Sequence, residues 1–284
     1  MKAEGGLTVQ RMCVLAEVSR AGFYRQALPA RARCDELALR DAVQQIAVDW
    51  PCYGSRRISE ELHGRGWVVN RKRVQRLMRE DNLLCLRKRR FVVTTDSAHG
   101  LPIYPNLARE LVLDGINQLW RADITYLRLR QEFIYLAVIL DAYSRRVIGW
   151  ALDRTLQDSL TITALEMALA ERGAATGLVH HSDRGSQYAS RDYTAIRHAH
   201  RIAISMSRKG NPWDNAACES FLKTLKYEEV HRSDYRDLAD ACVRIGDFLE
   251  DVYNQKRLHS ALDYCSPVEF ERGLPSAGGC EVRA

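Results

Sequence analysis

"GNPWDNAACESFLKTLK", residues 210–226, sets out as a turn and ends as a helix whose one acid, Glu219, is surrounded by Ala, Cys, Ser and Phe. On a helix, positions 219, 223 and 226 stand at i, i+4 and i+7 and share one face, so Lys223 and Lys226 lie in line with that carboxylate. Asp214, in the turn just ahead, is placed to cap the helix N-terminus.

Upstream of this stretch the pattern is mostly β. "LWRADITYLRL" alternates, "EFIYLAVILDAYS" is apolar and buried, and "RRVIGWALD" is a third short strand reached through a tight turn, which together make a meander. An amphipathic helix through "SLTITALEMALAER", a strand "LVHHS", a helix "YTAIRHAHR" and a strand "IAISMS" follow. Three strands and then alternating helices and strands predict an α/β fold, a mixed sheet flanked by helices.

Three acids fall where such elements would bring them together: Asp123 inside the first strand, Asp183 at the end of "LVHHSD", and Glu219 on the last helix. Asp123 lies between Ala122 and Ile124, where a carboxylate is costly unless it is paired or binds a cation. Asp183 precedes Arg184 and Gly185 in a polar turn at the carboxyl end of its strand, a usual place for a site. Asp141, closing the second strand, and Asp214 are read as structural. His181, Arg184 and Gln187 crowd around Asp183, either to touch a phosphate or to stabilise the turn. Trp213 either stacks on a base or, the favoured reading, anchors its loop to the core; Arg257 and His259 either contact nucleic acid or fix the C-terminal helix.

Thirty-five residues separate Asp183 from Glu219. That spacing, with "LWRADITYL", "LDAYSRRVIGW", "HHSDRGSQY" and "GNPWDNAACESFLKTLKYE", resembles D,D(35)E and the catalytic core of DDE transposases and retroviral integrases, specifically the second-frame protein of bacterial insertion sequences. The resemblance extends to "YGSRRISEEL", "TTDSAHGLPIYPNL" and "NQKRLHSALDYCSPVEF", and so covers most of the chain. It implies a ribonuclease-H-like core in which Asp123, Asp183 and Glu219 hold two divalent cations, Mg²⁺ or Mn²⁺ in its place. It also implies cleavage of element ends in double-stranded DNA and joining of the freed 3′-hydroxyl to target DNA, by an oligomer of the chain on DNA. An upstream-frame protein is implied as a fusion or partner. Lys223 and Lys226 match lysines that hold terminal DNA in that family. Two other functions stay open: a ribonuclease-H-like nuclease or resolvase that cuts without joining, and an inert DNA-binding repressor. His198 and His200 have no Cys pair near them, so the zinc module of retroviral integrases is not expected.

The charge divides unevenly: residues 1–115 hold 20 Lys and Arg against 13 Asp and Glu, residues 116–284 hold 22 against 23. A basic half beside a balanced one fits a part that holds a polyanion and a part that works on it. In the basic half, "YGSRRISEELHGRGWVVNRKRVQRLMRE" reads as a helix, a turn through Gly64 and Gly66, Asn70 as N-cap, and a second helix packed through Val74, Leu77 and Met78. Its other surface carries Arg71, Lys72, Arg73, Arg76 and Arg79, as the second helix of a helix-turn-helix would; Lys72, Arg73 and Arg76 are the candidate DNA contacts. The expected organisation is a helical, helix-turn-helix-like region at 1–85, a basic linker at 86–116 opening with Arg87, Lys88, Arg89 and Arg90, a catalytic core at 117–232, and a helical extension at 233–284. The longest apolar run, residues 133–140, is far short of the roughly 20 a membrane helix needs, and the N-terminus has no signal-like segment, so a cytoplasmic protein is expected. Eight scattered cysteines without a CxxC pair argue against a zinc ribbon or a disulfide scaffold.

Overall fold

A computed structural model describes residues 8–17, 19–20, 30–83, 101–130, 132–208 and 212–274. Phe23 and Tyr24, the basic run 87–90 and the turn residues Gly210 and Asn211 lie outside them, as does the Trp213 side chain. The chain divides into two compact units, Met1–Leu86 and Arg87–Ala284.

The first unit is helical: α1 (Val9–Leu15), α2 (Ala30–Asp49), α3 (Ser55–Gly64) and α4 (Arg71–Glu80). Leu39, Val43 and Ile46 of α2, Ile58 and Leu62 of α3, and Val74, Leu77 and Met78 of α4 form its core, because each set recurs on one helical face. Asn70 caps α4, its side chain accepting the Lys72 N–H at 2.8 Å, and Gly66 turns the chain between α3 and α4 with a φ of +85°. Arg40 of α2 pairs with Glu80 at 2.7 Å and with Asp81, and Glu36 pairs with Arg76 at 3.0 Å, which sets α4 against α2.

The second unit is built on five strands, β1 (Leu119–Arg128), β2 (Phe133–Asp141), β3 (Val147–Asp153), β4 (Val179–Ser182) and β5 (Ala203–Met206), in the order β3-β2-β1-β4-β5. The first three pair antiparallel as a meander; β4 joins β1, and β5 joins β4, in parallel. Both faces are covered, which is why β2 is almost wholly apolar. On one face lie α5 (Asp158–Arg172) and α6 (Arg191–Ala199), packed on Trp120, Ala122 and Ile139 through Leu160, Ala164, Leu165, Ala168 and Tyr193. On the other lie α7 (Ala216–Leu225) and α8 (Leu238–Asp247), each running on into a π-helical turn (Lys226–Val230 and Phe248–Asn254). They pack on Leu127, Leu136 and Val138 through Phe221, Leu225, Ile245 and Leu249.

The C-terminal extension is therefore core material. Asn254 exchanges two hydrogen bonds with the Val147 backbone, at 3.0 and 2.9 Å, beside a β-bulge in the β2–β3 pairing. The last helix, α9 (Pro267–Arg272), opens with a capping box between Ser266 and Glu269, and its Glu271 takes Arg172, nearly buried, and Arg146, partly exposed, as ion-pair partners. Of the stretch read as a linker, residues 101–116 are not a free tether: Ala108 is buried with Leu119, Ala142 and Val179, the Leu107 N–H donates to Ser205 Oγ at 2.9 Å, and the Met206 N–H donates to the Pro105 carbonyl.

Candidate active site

The sheet register places two of the three acids before any side chain is considered. Parallel pairing of β1 with β4 runs only from Leu119 to Arg121, and Arg121 stands opposite His181. Asp123 and Asp183 are each two residues past that last pair, so they occupy adjacent positions on the same face where the strands part. The face is the one α7 covers. Asn215 Nδ2 donates to the Ala122 carbonyl at 3.1 Å and Cys218 Sγ to the Arg121 carbonyl at 3.4 Å, which fastens the start of α7 across β1. Glu219, the next residue, is thereby delivered to the same notch.

The three acids feel one another. Asp123 is half-buried, and burial, then Asp183, then Glu219 push its carboxyl up to about 8, against the pull of the Ile124 N–H and Lys226. Burial also raises Glu219, which is exposed at its tip. Asp183 is held by its own turn, with Oδ1 accepting the Gly185 N–H at 2.9 Å. Among the described residues no group of three or more His, Cys, Asp or Glu stands close enough together to enclose a metal ion, so the acids share a field without closing on one point. The donor set itself suits a hard cation: carboxylate oxygens, on a buried strand, with an acid whose charge is unfavourable until a cation compensates it.

Lys226 lies with its ammonium 5.1 Å from the Tyr126 ring centroid; burial lowers its pKa while Asp123 opposes the shift. Lys223 is exposed on the same helix. The predicted face of 219, 223 and 226 runs to the point where α7 widens into its π turn at Lys226. Arg184 donates from Nε to the Ser207 carbonyl at 2.7 Å, bracing the Asp183 turn. His181 is fully buried between Ser205 Oγ (2.8 Å) and Ser207 Oγ (3.0 Å), and burial together with Arg121 lowers it to about 4: it is a neutral structural group. Gln187 donates to the Leu156 carbonyl at 3.0 Å. Arg257 is buried and makes a two-pronged pair with Glu228 at 2.7 and 2.8 Å, so it fixes the C-terminal segment, and the His259 ring packs edge-on against Tyr253.

Asp214 does not cap α7. Asn215 occupies the cap position without a side-chain cap bond, and the Asp214 carboxylate takes Arg208 instead, through its N–H, Nε and Nη2 at 2.9–3.0 Å. That guanidinium holds the Asp214 carboxyl well below the usual range. Asp141 is structural as expected: it is fully buried and accepts the N–H groups of Asn117, Tyr143 and Ser144. In the helical unit Lys72 and Arg73 are exposed and pair with no carboxylate among the described residues, whereas Arg76 pairs with Glu36 and Glu80 at 3.0 and 3.1 Å. The sequence reading missed Tyr126, Asn215 and Cys218; an amide and a thiol at a helix start beside an acid were the available signal.

A mixed sheet in this order, helices on both faces and acids where its parallel strands part define the ribonuclease-H-like fold of integrase catalytic cores, preceded here by a helix-turn-helix-like unit. The chain matches the Integrase core domain family over residues 114–212 and again over 200–267, and the HTH-like domain family over 34–91. It is 40% identical over 264 residues to the insertion element IS600 uncharacterized 31 kDa protein of Shigella sonnei, covering 91% of this chain and 97% of that one. It is 34% identical over 280 residues to transposase InsF for insertion sequence IS3A of Escherichia coli (strain K12), covering 95% and 96%. The chain belongs to the insertion-sequence transposases of the InsF kind. Among solved structures it is similar to the HTLV-2 integrase catalytic core domain in complex with magnesium (trimeric form), with a TM-score of 0.43 and 17% identity over 55% of this chain and 96% of that one. A simian T-cell lymphotropic virus intasome chain gives 0.47 and 16% over 84% and 76%.

Proposed function

We infer that the chain cleaves the ends of its insertion sequence and joins them to target DNA with Asp123, Asp183 and Glu219 as the metal-holding acids. The observation that carries this is the notch itself: the register sets Asp123 beside Asp183, the Asn215 and Cys218 contacts bring Glu219 to them, and burial first, then the neighbouring acids, drive the Asp123 carboxyl up to about 8. Two Mg²⁺ ions, or Mn²⁺ in their place, would be held by these three acids and, when bound, supply Lewis-acid stabilisation to the attacking and leaving oxygens of an in-line phosphodiester displacement. The acids provide hard oxygen donors, and Asp123 gives up the proton that its burial favours. Water as nucleophile breaks one P–O bond as it forms another and frees a 3′-hydroxyl; that hydroxyl repeats the exchange on the target. Lys226, braced on Tyr126, and Lys223 face the phosphates of the terminal DNA as point charges, and Arg184 keeps the Asp183 turn in shape. Lys72, Arg73 and Arg76 serve recognition of the ends by the helical unit. An oligomer of the chain assembled on DNA, with an upstream-frame protein as fusion or partner, belongs to the same reading. So does a cytoplasmic location; among the described residues no helix is long and apolar enough to cross a membrane.

The test is cleavage and joining of element-end DNA in Mg²⁺ by Asp123→Asn, Asp183→Asn and Glu219→Gln. Each should lose both reactions and keep DNA binding, a loss well beyond the roughly 10–100-fold that follows removal of a group merely supporting a ligand. Near-normal activity in one variant withdraws that residue, and cutting without joining by the unaltered chain moves the reading to a nuclease.

A further inference from the structure

Three hydrogen-bonded routes meet at Asp214, and each leads to a segment that carries one of the acids. Toward β1, Arg121 donates from Nη1 to the Asp214 carbonyl, and Arg121 stands two residues before Asp123 on the same face of the strand. Toward the Asp183 turn, the Asp214 carboxylate accepts the N–H, Nε and Nη2 of Arg208 at 2.9–3.0 Å. Arg208 follows Ser207, whose N–H donates to the Ser182 carbonyl at 2.9 Å and whose carbonyl accepts Arg184 Nε at 2.7 Å, so this route ends on the two residues that flank Asp183. Toward α7, the chain runs from Asp214 through Asn215 straight into the helix whose first turn holds Glu219.

The helix start forgoes local stability for these ties. Asp and Asn are both favoured caps, and both stand at the head of α7, yet the helix has no side-chain cap bond: the Asp214 carboxylate is engaged by Arg208, and the Asn215 amide by the Ala122 carbonyl at 3.1 Å. Asn215 Oδ1 is left buried without a hydrogen-bond partner among the described residues, a further sign that its side chain is oriented toward the sheet rather than toward its own helix. The Asp214 side chain is 6% exposed and its Arg208 partner 48%, so the carboxylate is covered while the guanidinium closes over it from the solvent side. A guanidinium fork fixes the orientation of an acid as well as its proximity.

We propose that Asp214, held by Arg208, is a positioning residue of the active centre: it sets the start of α7 against the ends of β1 and β4 and so fixes where Glu219 stands relative to Asp123 and Asp183. The proposal rests on the reading of Glu219 as a metal-holding acid. Asp214 and Arg208 act as one clasp, through the helix start and without touching the cations.

The experiment uses the full chain without DNA. Mn²⁺ affinity is read by titration with electron paramagnetic resonance of the free ion, and stability by thermal unfolding without metal. Arg208→Gln should weaken Mn²⁺ binding about tenfold, as removal of a group supporting a ligand does, and lower the metal-free melting temperature by at most a few °C, because Arg208 is exposed. Arg208→Lys, which keeps the charge without the fork, should lie between the two. In an Asp214→Asn background, Arg208→Gln should have no further effect on Mn²⁺, as for two members of one unit; a further loss there would show Arg208 acting by another route and overturn the proposal. The control is the exposed pair of Arg130 with Asp234, just past the end of β1. Arg130→Gln should leave Mn²⁺ affinity unchanged, and a loss equal to that of Arg208→Gln would mean general disruption and overturn the proposal as well. Unchanged Mn²⁺ binding in Arg208→Gln and Asp214→Asn, with binding weakened in Glu219→Gln, overturns it alone. Unchanged binding in Glu219→Gln removes Glu219 from the site, and the proposal with it.

Discussion

The two units use charge in opposite ways. In the helical unit the core is uncharged, mostly aliphatic with Tyr53 and Met78 among it, and the ionic groups sit outside it: Lys72 and Arg73 in water, Arg76 and Arg40 clasping carboxylates of neighbouring helices. In the sheet unit the decisive charges are brought inward. Asp123 is half-buried on the central strand, Lys226 is drawn over Tyr126, and two ion pairs, Arg257 with Glu228 and Arg172 with Glu271, are almost sealed. Exposed cations act additively and are weakened by salt, so such a surface is suited to hold a polyanion and tolerates single losses. Acids gathered in a notch repel one another, and that repulsion makes the place selective for a cation. Binding by sum and chemistry by convergence should therefore fail differently.

The largest effect is expected where the sheet unit has no slack. Gly149 of β3 lies so close to α5 that a Cβ there would run into the Ala164 carbonyl and come within 2.9 Å of Ala168 Cβ. Gly149→Ala should destabilise that unit by at least about 2 kcal/mol, roughly 4–8 °C of melting temperature for its size, because a helix backbone has to move. Amide exchange should quicken across the sheet and stay as it was in α2–α4; equal quickening in both would show that the units unfold as one.

Next comes pH. The Asp123 carboxyl titrates at about 8 in the folded chain and near 3.9 unfolded. The folded state therefore binds this proton more tightly, and the stability it contributes is present below about pH 4 and lost as pH rises through 8. Without metal, Asp123→Asn should melt above the unaltered chain by an amount that grows between about pH 4 and 8, to roughly a few °C. Divalent cation should close the gap by stabilising only the unaltered chain. Parallel curves across that range would place Asp123 in an ordinary, solvated setting.

The smallest effects belong to the helical unit. Lys72→Ala with Arg73→Ala should lower affinity for element-end DNA and reduce the slope of log affinity against log salt by about 2, near 0.9 for each phosphate no longer neutralised. Arg76→Ala should instead cost the helical unit up to about 1 kcal/mol, since its pairs with Glu36 and Glu80 are exposed, and change the salt slope less. A slope unchanged by the Lys72 and Arg73 substitutions would take those side chains off the DNA.

Much of this was legible along the chain. The strands and helices of the sheet unit follow from alternation and helical spacing, and Val74, Leu77 and Met78 pack where the periodicity of α4 puts them. Local rules were less reliable at the junctions. Asp214 had the composition of a helix cap, but Arg208, six residues earlier in the chain and carried there by β5, offers a carboxylate more than two N–H groups of a helix turn do. Residues 101–116 show no period because they form no regular element, yet they pack, since the Pro105 carbonyl and the Leu107 N–H find partners on the β5 edge. An absent period marks irregular backbone, which is a different thing from a free tether.

What the sequence determined by itself is which groups are available and on which kind of element: an acid within a strand, an acid after a strand, an acid on a helix with two lysines along its face, and a basic second helix under an Asn cap. Those properties are local, fixed by side-chain type and by the periods of helix and strand. What only the tertiary structure decided is their meeting. Asp123 and Asp183 are neighbours because β1 and β4 pair in one register and stop at Arg121, and Glu219 joins them because an amide 93 residues away from Ala122 bonds its carbonyl. Register and anchoring are contests among contacts distant along the chain, and no window of sequence contains both partners.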